Sequence, residues 1–186
     1  MARRTWSHRV AVVASVVFAT GLLAACDDTS EDDTSSLLCN VLDPEVAQPI
    51  VGDVTVSAFG GDNLDATRRQ GNGLDCQVTT GKGSETLISI ALRDTTDQAD
   101  WEATKARFAK TAAGEPACTP RTNEPFGYTC EGIDGTDETT VALLFDNRWV
   151  RVVARTRDGD APPDPDSVVA IAEDVDANLD AYDEKQ

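Results

Sequence analysis

The sequence predicts an α+β domain, in which helices pack on a twisted and mainly antiparallel sheet. Two observations lead to this prediction. Segments with strand-like patterns are joined by short turns, and each group of strands is followed by a segment with helical periodicity. In addition, residues 37–186 have the length of one ordinary domain.

The first half of this domain is predicted to begin with a short helix. Asp43 is the expected N-cap and Pro44 the first helical residue, and the apolar pattern stops at Gly52. In the strand predicted at 85–93 apolar residues point to both sides, so we expect both faces of the sheet to be covered. The other elements predicted here are a strand at 54–59, a loop at 60–73, a strand at 74–80 that forms a hairpin with 85–93, and a helix at 97–110.

The second half follows the same order of strands and then a helix, which suggests a pseudo-repeat. Strands are predicted at 126–131, 139–145 and 149–157, followed by a loop at 158–165. The last helix has the clearest periodicity in the chain. Its apolar face is formed by Val168, Ile171, Ala172, Val175, Leu179 and Tyr182.

Residues 1–25 are predicted to be a lipoprotein signal peptide. Three arginines and no acid precede an apolar run at 10–23, which is shorter than the roughly 20 residues of a membrane-spanning helix. The following Leu23-Ala24-Ala25-Cys26 resembles a bacterial lipobox, which implies cleavage before Cys26 and a diacylglyceryl group on its sulfur. Two acyl chains anchor a protein stably, so we expect it at the extracytoplasmic face of the cell membrane.

Other interpretations of this segment remain open. An ordinary secreted chain and an uncleaved anchor are the alternatives to the lipoprotein, and the Arg3-Arg4 pair also permits twin-arginine export. Residues 26–36 comprise the lipidated cysteine and an acidic, polar segment with no apolar residue to bury. They are predicted to form a flexible tether, and residues 37–186 a single extracytoplasmic domain.

Charge and composition exclude several classes of function. Removal of residues 1–25 takes away three arginines and no acid, which lowers the formal net charge from −17 to −20. Such a chain repels nucleic acid, so no nucleic-acid partner is expected. Removal also takes away His8, the only histidine, and with it every catalytic or metal site that needs an imidazole. We therefore expect no catalysis, no metal and no cofactor.

Four cysteines remain after Cys26, and in an exported chain an even number predicts disulfides. Four cysteines allow three pairings, and we favour Cys39–Cys76 and Cys118–Cys130 because of their proximity and the strand layout. The alternative, a Cys₄ zinc site, is disfavoured because the sequence lacks a C-x₂-C pair.

One family resemblance supports this outline. The segment Leu38-Cys39-Asn40-Val41-Leu42-Asp43-Pro44 follows the lipobox and tether, and a second cysteine follows in Leu74-Asp75-Cys76. This arrangement resembles a family of small actinobacterial lipoproteins of unknown function. That family is similar to the extracellular sensor domains of some bacterial serine/threonine kinases and to the PsbP-like fold. The resemblance implies a related α+β fold and no catalytic residues.

The last predicted strand carries the candidate ligand-binding residues Trp149, Arg151 and Arg155, which alternate along one face together with Arg157. Guanidinium groups and an aromatic ring suit an anionic or sugar-like ligand. The alternative is that these arginines form ion pairs with the acidic surface of the domain itself. Clustered acids at 134–138 and 158–166 lack the spacing of a calcium loop and are interpreted as solvated loops.

The sequence therefore favours a lipid-anchored extracytoplasmic module that binds or senses a small ligand or an envelope protein. The first alternative is a carrier that holds an apolar molecule between sheet and helix. The second is an enzyme that uses carboxylates alone, because paired acids can perform acid–base chemistry without histidine.

Overall fold

A computed structural model describes residues 37–62, 64–81, 85–157 and 161–185. The predicted signal peptide (1–25), Cys26 and the tether up to residue 36 lie outside the described residues. Within the described residues, no helix is long and apolar enough to cross a membrane.

The centre of the fold is an antiparallel sheet, which has seven strands among the described residues, in the order β1-β2-β3-β7-β6-β5-β4. Two meanders, β1–β3 and β4–β7, thus meet along their last strands. The α+β prediction is confirmed. The strands are β1 Val56–Gly60, β2 Leu74–Thr80, β3 Thr86–Asp94, β4 Cys118–Arg121, β5 Phe126–Glu131, β6 Glu138–Leu144 and β7 Arg148–Arg155.

Helices precede, interrupt and follow the two meanders. Asp43 caps α1 by accepting a hydrogen bond from the amide of Glu45, and Asp164 caps α4 by accepting one from the amide of Ser167. Each side chain thus satisfies an amide that a helix start leaves unpaired. The α-helices are α1 Pro44–Val51, α2 Ala66–Asn72, α3 Gln98–Gly114 and α4 Pro165–Asp183, and a 3₁₀ turn covers Ile133–Gly135.

The hydrophobic core has two parts, one on each face of the sheet. On the α4 face, alternate residues of β2, β3, β6 and β7 pack against α1 and α4. Five of the six α4 residues predicted from periodicity are buried there, and Val168, Ile171, Val175 and Leu179 are fully inaccessible, whereas Tyr182 is only half-buried. On the opposite face, called the α3 face, Phe108 and Ala112 of α3 pack on a second set from β5 and β6.

Both predicted disulfides are confirmed. Cys39–Cys76 ties the segment before α1 to β2, and Cys118–Cys130 joins directly opposed residues of β4 and β5. The first closes the longer loop, with a sequence separation of 37 residues against 12.

Three predictions of local structure were wrong. The predicted loop at 60–73 contains α2, and residues 118–121, where no strand was predicted, form the short edge strand β4. Pro120 fits there because an edge strand leaves one side without ladder hydrogen bonds. The third error concerns the prediction that both faces of the sheet are covered. Helix α3 packs on β4, β5 and β6 and leaves the α3 face of β1–β3 bare. The apolar Leu87 that suggested coverage joins the core of the α4 face instead, beside a register shift between β2 and β3.

Candidate functional site

The candidate residues Trp149, Arg151 and Arg155 lie on the α3 face of β7. Trp149 stands opposite Leu144 and Arg151 opposite Ala142 on β6, both of which pack towards α3. The strand therefore aligns the three side chains as the alternation of the sequence predicts. Their surroundings, however, differ from one residue to the next.

Two of the three are engaged within the domain. Arg155 stands directly opposite Glu138 on β6 and forms an ion pair with it, and this hydrogen bond raises the pKa of Arg155 above its ordinary value. Trp149 is half-buried against the cluster beneath α3, and the guanidinium of Arg107 lies 5.8 Å from the centre of its ring. Arg155 therefore forms an ion pair within the domain, as the alternative interpretation of the sequence predicted, and Trp149 forms part of a packed surface.

Arg151 has a different environment. Its cross-strand neighbours are Ala91 on β3 and Ala142 on β6, so small side chains flank it on both sides. The side chain is exposed, and it forms no hydrogen bond or ion pair with any other described residue. An arginine left unpaired in so acidic a chain keeps all five of its donors for another molecule.

Two open grooves meet at Arg151. The first encloses about 260 Å³ on the bare part of the α3 face, with Asp75, Gln77 and Ser89 among its walls. The second encloses about 200 Å³ between β7 and α3, where Arg107 and Arg151 face a floor that includes Tyr128 and Trp149. The structure therefore adds Arg107 to the residues that the sequence singled out.

The bare part of the α3 face continues to the edge of the sheet at β1. Phe59 is 56% exposed there, and it stands opposite Gln77 on β2, which in turn stands opposite Ser89 on β3. Beside Arg151 this surface is therefore a shallow platform of small and polar side chains that ends in an aromatic ring.

A second cluster of charges was missed by the sequence analysis. Arg69 of α2 and Arg148 of β7 are both fully buried, and the carboxylate of Asp94 lies between them, 3.1 Å from Arg69 Nε and 3.7 Å from Arg148 Nε. The last turns of α4 supply the other acids. Arg148 Nη2 lies 2.9 Å from Asp180 and 3.3 Å from Asp183, and Arg69 also pairs with Asp183.

An acidic cleft of about 380 Å³ adjoins this cluster, and Trp101, Glu124, Asp176 and Asp180 are among its walls. Burial raises the pKa of Asp176 to about 6, although Arg148 nearby opposes the shift. Asp176 Oδ1 lies 3.6 Å from Arg148 Nε, and neither of these buried atoms forms a hydrogen bond. Two of the acids in this cleft are therefore ion-pair partners of a buried arginine, which accounts for their position without catalysis.

Among the described residues, no three histidine, cysteine, aspartate or glutamate side chains are grouped so that they could hold a metal ion. The cleft and the groove beneath α3 differ in the sign of their charges. The cleft presents carboxylates, whereas the groove beneath α3 presents two guanidinium groups.

Comparison with known proteins identifies no relative, because no protein-family model, curated protein or solved structure matches this chain.

Proposed function

We propose that this protein is a non-catalytic binding module, held at the extracytoplasmic face of the cell membrane by a lipid on Cys26. We propose further that it captures a small ligand on the α3 face at Arg151. The observation that carries the proposal is the unpaired Arg151 at the junction of two open grooves. The lipobox-like segment and the absence of histidine after His8 support the anchored and non-catalytic parts.

The packing of the domain favours this proposal over a carrier. A carrier would hold an apolar molecule between sheet and helix, but that space on the α4 face is filled by the protein's own side chains. Leu42, Ile171 and Leu179 are fully inaccessible there, together with Val141, Val150 and Val152. A ligand would have to displace packed residues, at a cost of several kcal/mol.

The anchor is tested by replacing Cys26 with serine in the full chain. We expect the variant to lose metabolic labelling with an alkyne fatty acid and to leave the detergent phase on phase separation, because the sulfur that carries the lipid is gone. The matched control is the double variant Cys118→Ser/Cys130→Ser, which should keep the label. Labelling that survives Cys26→Ser would contradict lipidation at this residue.

The binding surface is tested with a pair of tryptophan substitutions. Ala91→Trp places a bulky ring beside Arg151 on the bare α3 face, whereas Ala170→Trp places the same ring on the exposed side of α4. We expect native mass spectrometry of the detergent-solubilised mature protein to show a bound molecule in the wild type and in Ala170→Trp. In Ala91→Trp that mass should be lost, with the Tm nearly unchanged.

A bound mass that survives Ala91→Trp would move the binding site away from the α3 face. A bare mass in the wild type would contradict a small ligand, and crosslinking at Gln77 in intact cells would then test an envelope protein as the partner.

A further inference from the structure

We infer that the groove between α3 and β7 is a binding site for a small organic acid with two carboxylates, held by Arg107 and Arg151 together. This inference rests on the proposed function, because it names the class of ligand that the α3 face takes. It adds Arg107 of α3 as a second binding residue.

Three arginines outside the groove are held by acids of the same domain. Arg69 and Arg148 are buried among aspartates, and Arg155 is paired with Glu138. Such pairing is expected where acids outnumber basic residues 33 to 16. Arg151, like Arg68, Arg93 and Arg107, forms no ion pair with another described residue. Its position differs in that Ala91 and Ala142 occupy the two cross-strand positions where a paired acid would stand.

Two cations from different elements converge on this groove. Arg107 extends from α3 and Arg151 from β7, and both line the same groove. Arg107 is held over the rings of Phe108 and Trp149, at 5.7 Å and 5.8 Å from their centres. At these distances each ring attracts the guanidinium, and its N–H groups remain available to a ligand.

The size and lining of the groove indicate the class of ligand. Its volume of about 200 Å³ is below the roughly 300 Å³ at which clefts begin to hold drug-sized ligands, so a compact molecule is indicated. The lining includes Phe108, Ala142 and Trp149 and contains no acid. An apolar floor with two guanidinium forks matches a short hydrocarbon chain that carries a carboxylate at each end.

The test compares succinate with succinamate, in which one of the two carboxylates is replaced by a neutral amide of similar size. Each is titrated at constant ionic strength into the detergent-solubilised mature protein, and the arginine Nε–Hε signals are followed by NMR. We expect succinate to shift the signals of Arg107 and Arg151 saturably. Succinamate should bind about tenfold more weakly or worse, because it loses one charge-assisted pair.

Single substitutions then assign the two charges. Arg107→Ala and Arg151→Ala should each weaken succinate binding about tenfold or more, whereas Arg68→Ala, which removes an exposed arginine of α2 outside the groove, should leave it unchanged. Equal binding of succinate and succinamate, or equal binding by all three variants, would overturn the inference.

The two proposals can fail separately. Succinate can fail to bind while native mass spectrometry still shows a bound molecule in the wild type that is absent from Ala91→Trp. The α3 face is then a binding surface for another class of ligand. If succinate does not bind and the wild type carries no bound molecule that Ala91→Trp removes, both proposals are wrong.

Discussion

Replacement of Arg148 by methionine is expected to lower the free energy of unfolding by about 3–5 kcal/mol, because it leaves the carboxylate of Asp176 without a cation and Asp94 with Arg69 alone. Asp94 and Asp176 face the guanidinium at 3.7 Å and 3.6 Å, and their side chains are only 10% and 16% exposed. Methionine fills much of the same volume, so most of the loss should come from charge rather than from a cavity. Urea denaturation of the mature protein in detergent measures the difference.

The matched control is Arg155→Met on the same strand. Its ion pair with Glu138 is solvent-exposed, with 40% of the Arg155 side chain accessible, so removal should change the free energy of unfolding by about 1 kcal/mol or less. Arg148→Lys should fall between the two, since an ammonium keeps the charge but not the planar fork. Equal stabilities of the Arg148→Met and Arg155→Met variants would show that the acids of α4 do not depend on Arg148.

Removal of the Cys39–Cys76 disulfide is expected to destabilise the domain more than removal of Cys118–Cys130. In the chain-entropy model, the longer loop contributes about 4 kcal/mol and the shorter loop about 3 kcal/mol. Burial adds to the difference, because Cys39 and Cys76 are both buried in the main core, whereas Cys118 is only half-buried. The double variants Cys39→Ala/Cys76→Ala and Cys118→Ala/Cys130→Ala, compared by urea denaturation without reductant, measure both terms.

The two double variants serve as controls for each other, since each removes two cysteines and leaves one disulfide intact. A larger loss from the Cys118–Cys130 pair would contradict the entropic ranking. It would indicate that fixing the edge strand β4 to β5 stabilises the sheet more than fixing the segment before α1 to β2.

Arg69 shows where sequence periodicity stops being informative. The segment Ala66–Asn72 has no apolar stripe, so the pattern predicts a loop, yet it is α2. Among the α2 side chains whose burial the structure describes, the buried one is Arg69, which pairs with Asp94 of β3 and Asp183 of α4. A burial pattern read from apolar residues cannot detect a helix that is fixed by a charged one.

The sequence pattern could not predict the bare part of the α3 face, for a related reason. Alternation along β3 and β7 indicates which residues share a face, but not which helix covers that face. The helix that follows β3 crosses to β4, β5 and β6, so Asp75, Gln77 and Arg151 remain uncovered. The position of α3 depends on long-range packing, and it determines which of the predicted site residues remain uncovered.

The sequence alone determined the α+β class, the capped start of α1 and most core-facing residues of α4, because periodicity and caps are local features of the chain. It favoured, among three possible pairings, the two disulfides that the structure contains. It also determined that Trp149, Arg151 and Arg155 share one face. Only the tertiary structure decided that Arg155 is paired, that Trp149 is packed and that Arg151 is free beside Arg107. Those outcomes depend on residues that are distant in sequence and meet only when the sheet and α3 pack together.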